Sequence, residues 1–194
     1  NQLDLKLINS KAKDIKNPSI LVAGCGTGEH AIKVAKRFKD SNVLAVDLSL
    51  RSLAYAKRKT EELNLKNIEY IQADILNLEN CKRQFDIVEC VGTLHHMDKP
   101  IEGWKNLVNC LNPDGLMKIG LYSKLARVNI IKIRDQIKRL NIGSSDNEIR
   151  LFRNKIISSD FIDYKNILSS EDFYCLSSVR DLLFHVQEHT FTLP

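Results

Sequence analysis

The sequence lacks the features that would place the chain in a membrane or on a secretory route. None of its apolar runs approaches the roughly 18 residues that a transmembrane helix requires. Its polar start, Asn1-Gln2-Leu3-Asp4, lacks the layout of a signal peptide. We also find no internal repeat and no low-complexity tract. We therefore expect a cytoplasmic protein without a membrane partner.

Cysteine is scarce and is never arranged for cross-linking or metal binding. The five cysteines are odd in number and scattered, without the closely spaced pairs that zinc sites use. We predict buried free thiols and no metal site.

A basic stripe for nucleic acid is also missing. The net charge of +5 is spread along the chain, and Lys57-Arg58-Lys59 is offset by Glu61 and Glu62. The Asp/Asn-Pro-Pro-Tyr/Phe pattern of enzymes that modify amines of nucleic acids does not occur either. A nucleic-acid partner is therefore disfavoured.

The residues that are present describe one ordinary globular domain of alternating strands and helices. The chain has 194 residues, of which 43% are hydrophobic and 27% charged. Val43–Val46 is a continuous apolar run, typical of a parallel strand covered on both faces. Predicted strands are Ser19–Ala23, Asn42–Asp47, Ile68–Gln72, Phe85–Val91 and Leu116–Tyr122. Predicted helices between them include Glu29–Phe38, Ser49–Leu63 and Lys99–Leu111, the last stopped by Asn112-Pro113-Asp114-Gly115. This order predicts an α/β fold with a doubly wound, mainly parallel sheet.

After Tyr122 the alternation stops. Leu125–Leu140, Glu148–Ile157 and Ser170–Glu188 are predicted to be helical, and no clear sixth or seventh strand follows. We therefore expect residues 1–122 to form the α/β core, and residues 123–194 to form a helical lid or substrate segment of the same domain.

Three glycines on alternate residues connect the first strand to the first helix. Gly24, Gly26 and Gly28 allow a sharp turn and a close approach of backbone to a ligand. In a dinucleotide site the third glycine falls one position later, where this chain has Glu29. A carboxylate at that helix start would repel a pyrophosphate. The turn therefore favours S-adenosylmethionine, which has no phosphates and carries an amino group, over NAD.

Two acids follow the next two strands. Asp47 ends the second strand about 20 residues after the turn, where a carboxylate can accept from both ribose hydroxyls. Asp74 follows the third strand and can accept from the amine of adenine, with Leu48 and Ile75 beside the ring.

Five segments together resemble the motifs of the class I S-adenosylmethionine-dependent methyltransferases, and the resemblance covers residues 18–122. In chain order the segments are VAGCGTGEHA, LAVDLS, IQADIL, FDIVECVGTLHHM and LNPDGLMKIGLYS. The resemblance implies a Rossmann-like core that binds S-adenosylmethionine. The implied cofactor contacts are Gly24, Cys25, Gly26, Thr27, Gly28, Asp47, Leu48, Asp74, Ile75, Cys90 and Val91, and the resemblance places residues Cys90 to Thr93 along the inner wall of the cofactor site.

The C-terminal part departs from the family pattern, since the usual sheet has seven strands. Residues 180–189 resemble a segment of bacterial methyltransferases that are fused to tetratricopeptide repeats. We therefore expect a fragment of a longer protein with the final strands missing.

Two histidines follow the fourth strand, where the transferred methyl group should lie. His95 and His96 can serve as a base or acceptor contact, or merely shape the loop. Glu89 can line the pocket or be held in a hydrogen bond under the sheet. Cys25 and Cys90 are better explained as small apolar filling than as nucleophiles.

The string His185-Val186-Gln187-Glu188-His189 matches a zinc-protease pattern, but too few residues remain for a third ligand. We interpret His185, Glu188 and His189 either as polar groups of an acceptor pocket or as part of an exposed amphipathic helix.

The sequence thus predicts a methyltransferase acting on a small-molecule or protein acceptor. Two alternatives stay open: a cofactor-binding regulatory module without turnover, and a nicotinamide-dependent oxidoreductase.

Overall fold

The computed structural model describes residues 15–192, which contain a five-stranded sheet followed by a group of helices. The strands are β1 (Ser19–Ala23), β2 (Asn42–Asp47), β3 (Ile68–Gln72), β4 (Phe85–Val91) and β5 (Leu111–Gly120). The helices that alternate with them are α1 (Glu29–Arg37), α2 (Leu50–Glu62) and α3 (Pro100–Asn109). All strand pairs are parallel, and the order across the sheet is β3-β2-β1-β4-β5. The prediction of a doubly wound parallel sheet is confirmed.

The central strands are buried on both faces because alternate side chains enter different apolar cores. Ile20 and Val22 of β1 pack with residues of α1 and α2. Leu21 and Ala23 point the other way, into a core that includes Leu107 of α3. The continuous apolar runs of β1 and β2 follow from this two-sided burial.

The strand order reverses between β1 and β4, which are neighbours in the sheet although two strands separate them in sequence. The connection after β1 contains α1, and the one after β4 contains α3, on opposite faces. Such a reversal opens a crevice at the carboxyl ends of the two strands, where open α/β sheets bind ligands.

The fifth strand was predicted to start too late. It begins at Leu111 rather than Leu116 and ends at Gly120, and α3 ends at Asn109. The predicted turn at residues 112–115 lies within β5 as an irregularity: Phe85 pairs with Leu111, but Ile87 pairs with Leu116. The backbone of this segment keeps one turn-like feature, because Asp114 has a positive φ of 63°.

Cα packing divides the chain into two compact units, Asn1–Leu121 and Tyr122–Pro194, which we call the core unit and the helical unit. The helical unit contains α4 (Val128–Arg139), α5 (Asp146–Ile157), α6 (Ile162–Ile167) and α7 (Leu176–Phe184). They enclose an apolar core of their own, and its fully buried members include Ile133, Ile149, Phe173 and Val179. Among residues 15–192, no helix combines the length and the apolar character that crossing a bilayer requires.

The last predicted helix is wrong at both ends, because α7 spans Leu176–Phe184 rather than Ser170–Glu188, and Glu171–Phe173 forms a separate 3-10 turn. Residues 185–190 are irregular. Phe191 then forms an isolated parallel bridge with Ser123, within the helical unit. Helix α6 was not predicted.

Candidate functional site

The glycine turn leaves β1 in a conformation that side chains rarely adopt. Gly24, Gly26 and Gly28 have φ angles of 70°, 53° and 85°. The backbone N–H groups of Gly24 and Cys25 both donate to the carbonyl oxygen of Val46, at 2.8 and 3.0 Å. The turn is therefore fixed against the neighbouring strand β2.

The three glycines differ in what surrounds them. A Cβ atom on Gly24 would overlap the side chain of Thr93, and one on Gly28 would lie 2.5 Å from Cβ of Ala56. A Cβ atom on Gly26 would meet nothing within 4 Å. Glycine is therefore needed at positions 24 and 28 for close packing, whereas Gly26 presents bare backbone to open space. Thr27 is the next residue of the turn.

Asp47 connects this turn to the end of β2. Its Oδ2 accepts from the N–H of Gly26 at 2.7 Å, and its Oδ1 accepts from the N–H of Ser49 at 2.8 Å. An ionised carboxylate has about four lone-pair sites. Asp47 can therefore hold the turn and still accept hydrogen bonds from a ligand.

Asp74 caps the short 3-10 helix that follows β3. Its Oδ1 accepts from the N–H of Leu76 at 2.9 Å. Among residues 15–192, its Oδ2 accepts no hydrogen bond. One oxygen is thus used to orient the side chain, and the other is available.

Both carboxylates line one cavity of about 110 Å³ at the carboxyl edge of the sheet. Its lining residues are Gly24, Asp47, Leu48, Ala73, Asp74, Ile75, Thr93 and Met97. The sequence analysis named six of these, including Thr93, and missed Ala73 and Met97. The signal for Met97 was its place just after β4, in a segment already singled out.

The end of β4 forms the other wall of the crevice. Thr93 Oγ1 donates to the carbonyl oxygen of Gly24 at 3.2 Å. Val91 is 42% exposed, and Gly92, with a φ of 82°, faces open space. The side chain of Cys90 is fully buried in the apolar core, so only its backbone is left for a ligand.

A larger cavity of about 410 Å³ opens at the opposite, amino edge of the sheet, where Arg37, Ser41 and Asp86 are among its lining residues. Asp86 is engaged there by Ser19 and Asn112. Ligands of parallel sheets bind at the carboxyl edge. We therefore assign the functional site to the smaller cavity.

Comparison with known proteins identifies the family. A family model described as a methyltransferase domain matches residues 20–115. The chain belongs to the class I S-adenosylmethionine-dependent methyltransferases. Its cofactor is S-adenosylmethionine.

Individual relatives support this assignment over part of their length. The chain is 30% identical to uncharacterized protein syc1184_c of a Synechococcus strain over 131 residues, which are 67% of this chain and 31% of that protein. It is 30% identical to a malonyl-(acyl-carrier protein) O-methyltransferase of Halalkalibacterium halodurans over 118 residues, 58% of this chain and 43% of that protein. The chain thus spans less than half the length of these relatives.

A solved structure has a similar fold over nearly the whole chain. PKMT2 from Rickettsia typhi in complex with AdoHcy matches with a TM-score of 0.67 and 22% identity, covering 91% of this chain and 36% of that one. At this level of identity the likeness concerns the fold alone.

The residues at the carboxyl edge of this methyltransferase fit the cofactor. Gly26 leaves the space that a bound group would need, and Asp47 and Asp74 supply acceptors for hydroxyl and amine donors. Leu48 is exposed beside them, although it is a large apolar side chain. The individual contacts to the cofactor stay predictions.

The two cysteines of the site are not activated nucleophiles. Burial raises the pKa of Cys25 to about 12, with a further contribution from the negative charge of Asp47. Burial also raises the pKa of Cys90 to about 11. Both thiols are therefore protonated at neutral pH, as expected for apolar filling.

His95 and His96 lie in a 3-10 turn, Leu94–His96, directly after β4. Their rings contact edge to face, with centroids 4.3 Å apart. His95 is 1% exposed, and His96 is only partly buried. A part in catalysis stays a prediction for both, and exposure favours His96.

Glu89 is held in a hydrogen bond, one of the two arrangements considered for it. His30 Nε2 donates to Glu89 Oε2 at 2.5 Å. The sequence analysis did not single out His30, because 59 residues separate the pair and no local pattern marks it.

Glu29, which argued against a pyrophosphate, is exposed and ion-paired with Lys33 at 2.6 Å. The hydrogen bond from Lys33 lowers the pKa of the Glu29 carboxyl. The carboxylate is therefore charged at neutral pH, but a neighbouring cation weakens its repulsion of an anion.

The predicted acceptor residues of the helical unit occupy its irregular C-terminal segment. Glu188 is ion-paired with Arg127 and, at 3.5 Å, with Arg134. His185 Nδ1 lies 2.6 Å from the carbonyl oxygen of Gln187, and His189 lies 3.2 Å from the Gln187 side chain. Since the segment is not helical, the alternative of an exposed amphipathic helix is wrong. An acceptor contact stays a prediction for all three.

Proposed function

We propose that the chain transfers the methyl group of S-adenosylmethionine to a small-molecule or protein acceptor. One observation carries the proposal: the carboxylates of Asp47 and Asp74 line one cavity beside a glycine turn whose Gly26 faces open space. A cofactor with a sugar, a purine amine and no phosphates meets those requirements.

The side chains at this edge would hold the cofactor in a fixed orientation. Asp47 accepts from the ribose hydroxyls, and its position is set in advance by the N–H groups of Gly26 and Ser49. Asp74 accepts from the adenine amine, and Leu48 and Ile75 exclude water from the ring. Cofactor binding thus costs little rearrangement, since these groups are already oriented.

When bound, S-adenosylmethionine supplies an electrophilic methyl group, because its sulfur carries a positive charge. The protein then has to place an acceptor atom in line with that methyl group and to exclude water. A base is needed only where the acceptor must lose a proton. His96, partly exposed at the end of β4, is the better placed of the two histidines for such a step.

Isothermal titration with S-adenosylmethionine and S-adenosylhomocysteine tests cofactor binding. Asp47→Ala should weaken binding by about 10- to 100-fold, since it removes acceptors worth about 1–3 kcal/mol. Asp40→Ala is the matched control, because Asp40 is exposed near the other end of β2 and should leave affinity unchanged. A folded wild-type chain that binds neither ligand contradicts the proposal.

Turnover separates the proposal from its two alternatives. Transfer of labelled methyl groups to a panel of oxygen, nitrogen and sulfur acceptors supports an enzyme, whereas tight binding without labelling of any acceptor supports a regulatory module. Binding of NAD in place of S-adenosylmethionine would support the oxidoreductase. RNA binding that weakens steeply with salt would restore a nucleic-acid acceptor. We also propose a cytoplasmic location, which cell fractionation tests.

A further inference from the structure

A histidine next to the glycine turn has no part in the chemistry proposed above. His30 is the second residue of α1, and its ring reaches across to Glu89 in β4. The side chain of Glu89 is 7% exposed, and that of His30 is 35% exposed. A buried carboxylate in a central strand therefore anchors a ring that is itself accessible.

The anchor uses only one of the two ring nitrogens. Nε2 is bound to Glu89, and among residues 15–192 Nδ1 makes no hydrogen bond. In the protonated ring both nitrogens donate, so Nδ1–H can bind a carboxylate while Nε2–H stays on Glu89. Glu89 thus fixes which nitrogen is presented to a ligand.

The surroundings of the ring favour an anion. Lys118 of β5 extends toward the same glutamate, with its Nζ 3.9 Å from Glu89 Oε2. The N-cap of α1 is Gly28, which offers no side-chain acceptor, so N–H groups of the first turn are left for a ligand. Glu29 is the one nearby acid on this helix turn, and Lys33 pairs with it.

The strand order indicates which end of the cofactor would lie next to His30 and Glu89. Asp47 ends β2 and Asp74 follows β3, on one side of β1, whereas Glu89 belongs to β4 on the other side. A cofactor whose ribose and adenine lie with the two aspartates therefore extends its amino-acid end across the glycine turn toward β4. That end carries a carboxylate.

We propose that His30, held by Glu89, binds the carboxylate of the amino-acid end of S-adenosylmethionine. The proposal rests on the proposed function, because it requires that this cofactor binds. It makes His30 a binding residue and Glu89 its positioning residue.

Calorimetry with two ligands tests the assignment: S-adenosylmethionine, and decarboxylated S-adenosylmethionine, which keeps the amine. His30→Ala should weaken binding of the first about tenfold or more, as expected for a charge-assisted hydrogen bond, and leave the second unchanged. Glu89→Gln, which keeps an acceptor for Nε2–H, should cause a smaller loss with the same selectivity. Lys36→Ala, at an exposed position of the same helix, should change neither affinity.

Several results overturn the assignment. An equal loss for both ligands in His30→Ala means that the residue only supports the turn, and no loss for either means that it does not bind. A carboxylate-selective loss in Lys118→Ala instead of His30→Ala moves the site to the lysine. If His30→Ala does not fold, His30→Gln is used with the same two criteria. A wild-type chain that binds neither ligand refutes the proposed function itself.

Discussion

The core unit and the helical unit use their polar side chains in opposite ways. At the carboxyl edge of the core unit, Asp74 and His30 each use one polar atom for the fold and have a second that no residue among 15–192 engages. In the helical unit, the side chain of Glu188 is 4% exposed and faces both Arg127 and Arg134. Charges that are satisfied internally fix the path of the chain, whereas the unused acceptor of Asp74 and the unused ring nitrogen of His30 are available to a ligand.

The largest expected difference between the units concerns their thiols. Hydrogen bonds from the hydroxyl of Ser177 and the backbone of Ser178 lower the pKa of the exposed Cys175 to about 7. At pH 7 about half of Cys175 is thiolate, against about one part in ten thousand for a thiol with a pKa near 11, such as Cys90. Iodoacetamide should therefore alkylate Cys175 faster by orders of magnitude, as followed by peptide mass spectrometry.

The sign of the pH effect follows from the same pKa. The rate at Cys175 should rise with pH through about 7 and level off above it, because the thiolate is the nucleophile. Cys175→Ser should abolish the fast phase. Fast modification of Cys25 or Cys90 in the folded chain would remove the contrast between the units.

The next effect concerns the buried ion pairs of the helical unit. Glu188→Ala should lower the free energy of unfolding by about 3–5 kcal/mol, because it leaves buried Arg127 without its counter-charge. Asp160→Ala is the control, since the fully exposed Asp160 pairs with Lys165 at the surface and should change stability by less than about 1 kcal/mol. Urea denaturation measures both, with hydrogen exchange of α4 to locate the loss. Equal losses would mean that Glu188 has no special structural part.

A smaller effect distinguishes two glycines within the core unit. Both have a positive φ, so alanine at either should cost about 1–2 kcal/mol of backbone strain. Gly24→Ala should lose more, because its Cβ would overlap Thr93, whereas the space at Gly26 is open. Gly26→Ala should instead weaken S-adenosylmethionine binding out of proportion to its loss of stability. Thermal unfolding together with calorimetry separates the two, and identical behaviour would contradict the assignment of Gly26 to the ligand.

The parts of the fold that depend on local sequence pattern could be predicted from the sequence. The apolar run at Val43–Val46 and the turn glycines specify β2 and the first connection, and both are found as predicted. Asp47 and Asp74 meet in one cavity because parallel strands end at the same edge. Their contacts with the cofactor stay predictions.

Contacts between distant residues account for what the sequence did not show. Residues 112–115 contain turn residues, yet they lie within β5, where Asn112 donates to Asp86, itself bound to Ser19. The end of α7 was missed because Glu188 binds Arg127, which is 61 residues away. In both cases a partner far along the chain, invisible to periodicity, decides the local conformation.

The strand order places β4, which comes late in the chain, directly beside β1. The binding site is therefore complete only after β4 has paired with β1. Both aspartates and the glycine turn are complete once the first 74 residues are in place, but Thr93 and Met97 arrive only with the strand that inserts beside the first one. A polypeptide that ends before β4 lacks the side of the cavity that Thr93 and Met97 form, even if β1, β2 and β3 pair correctly. Cofactor binding therefore reports that β4 has paired with β1 and brought Thr93 and Met97 to the site.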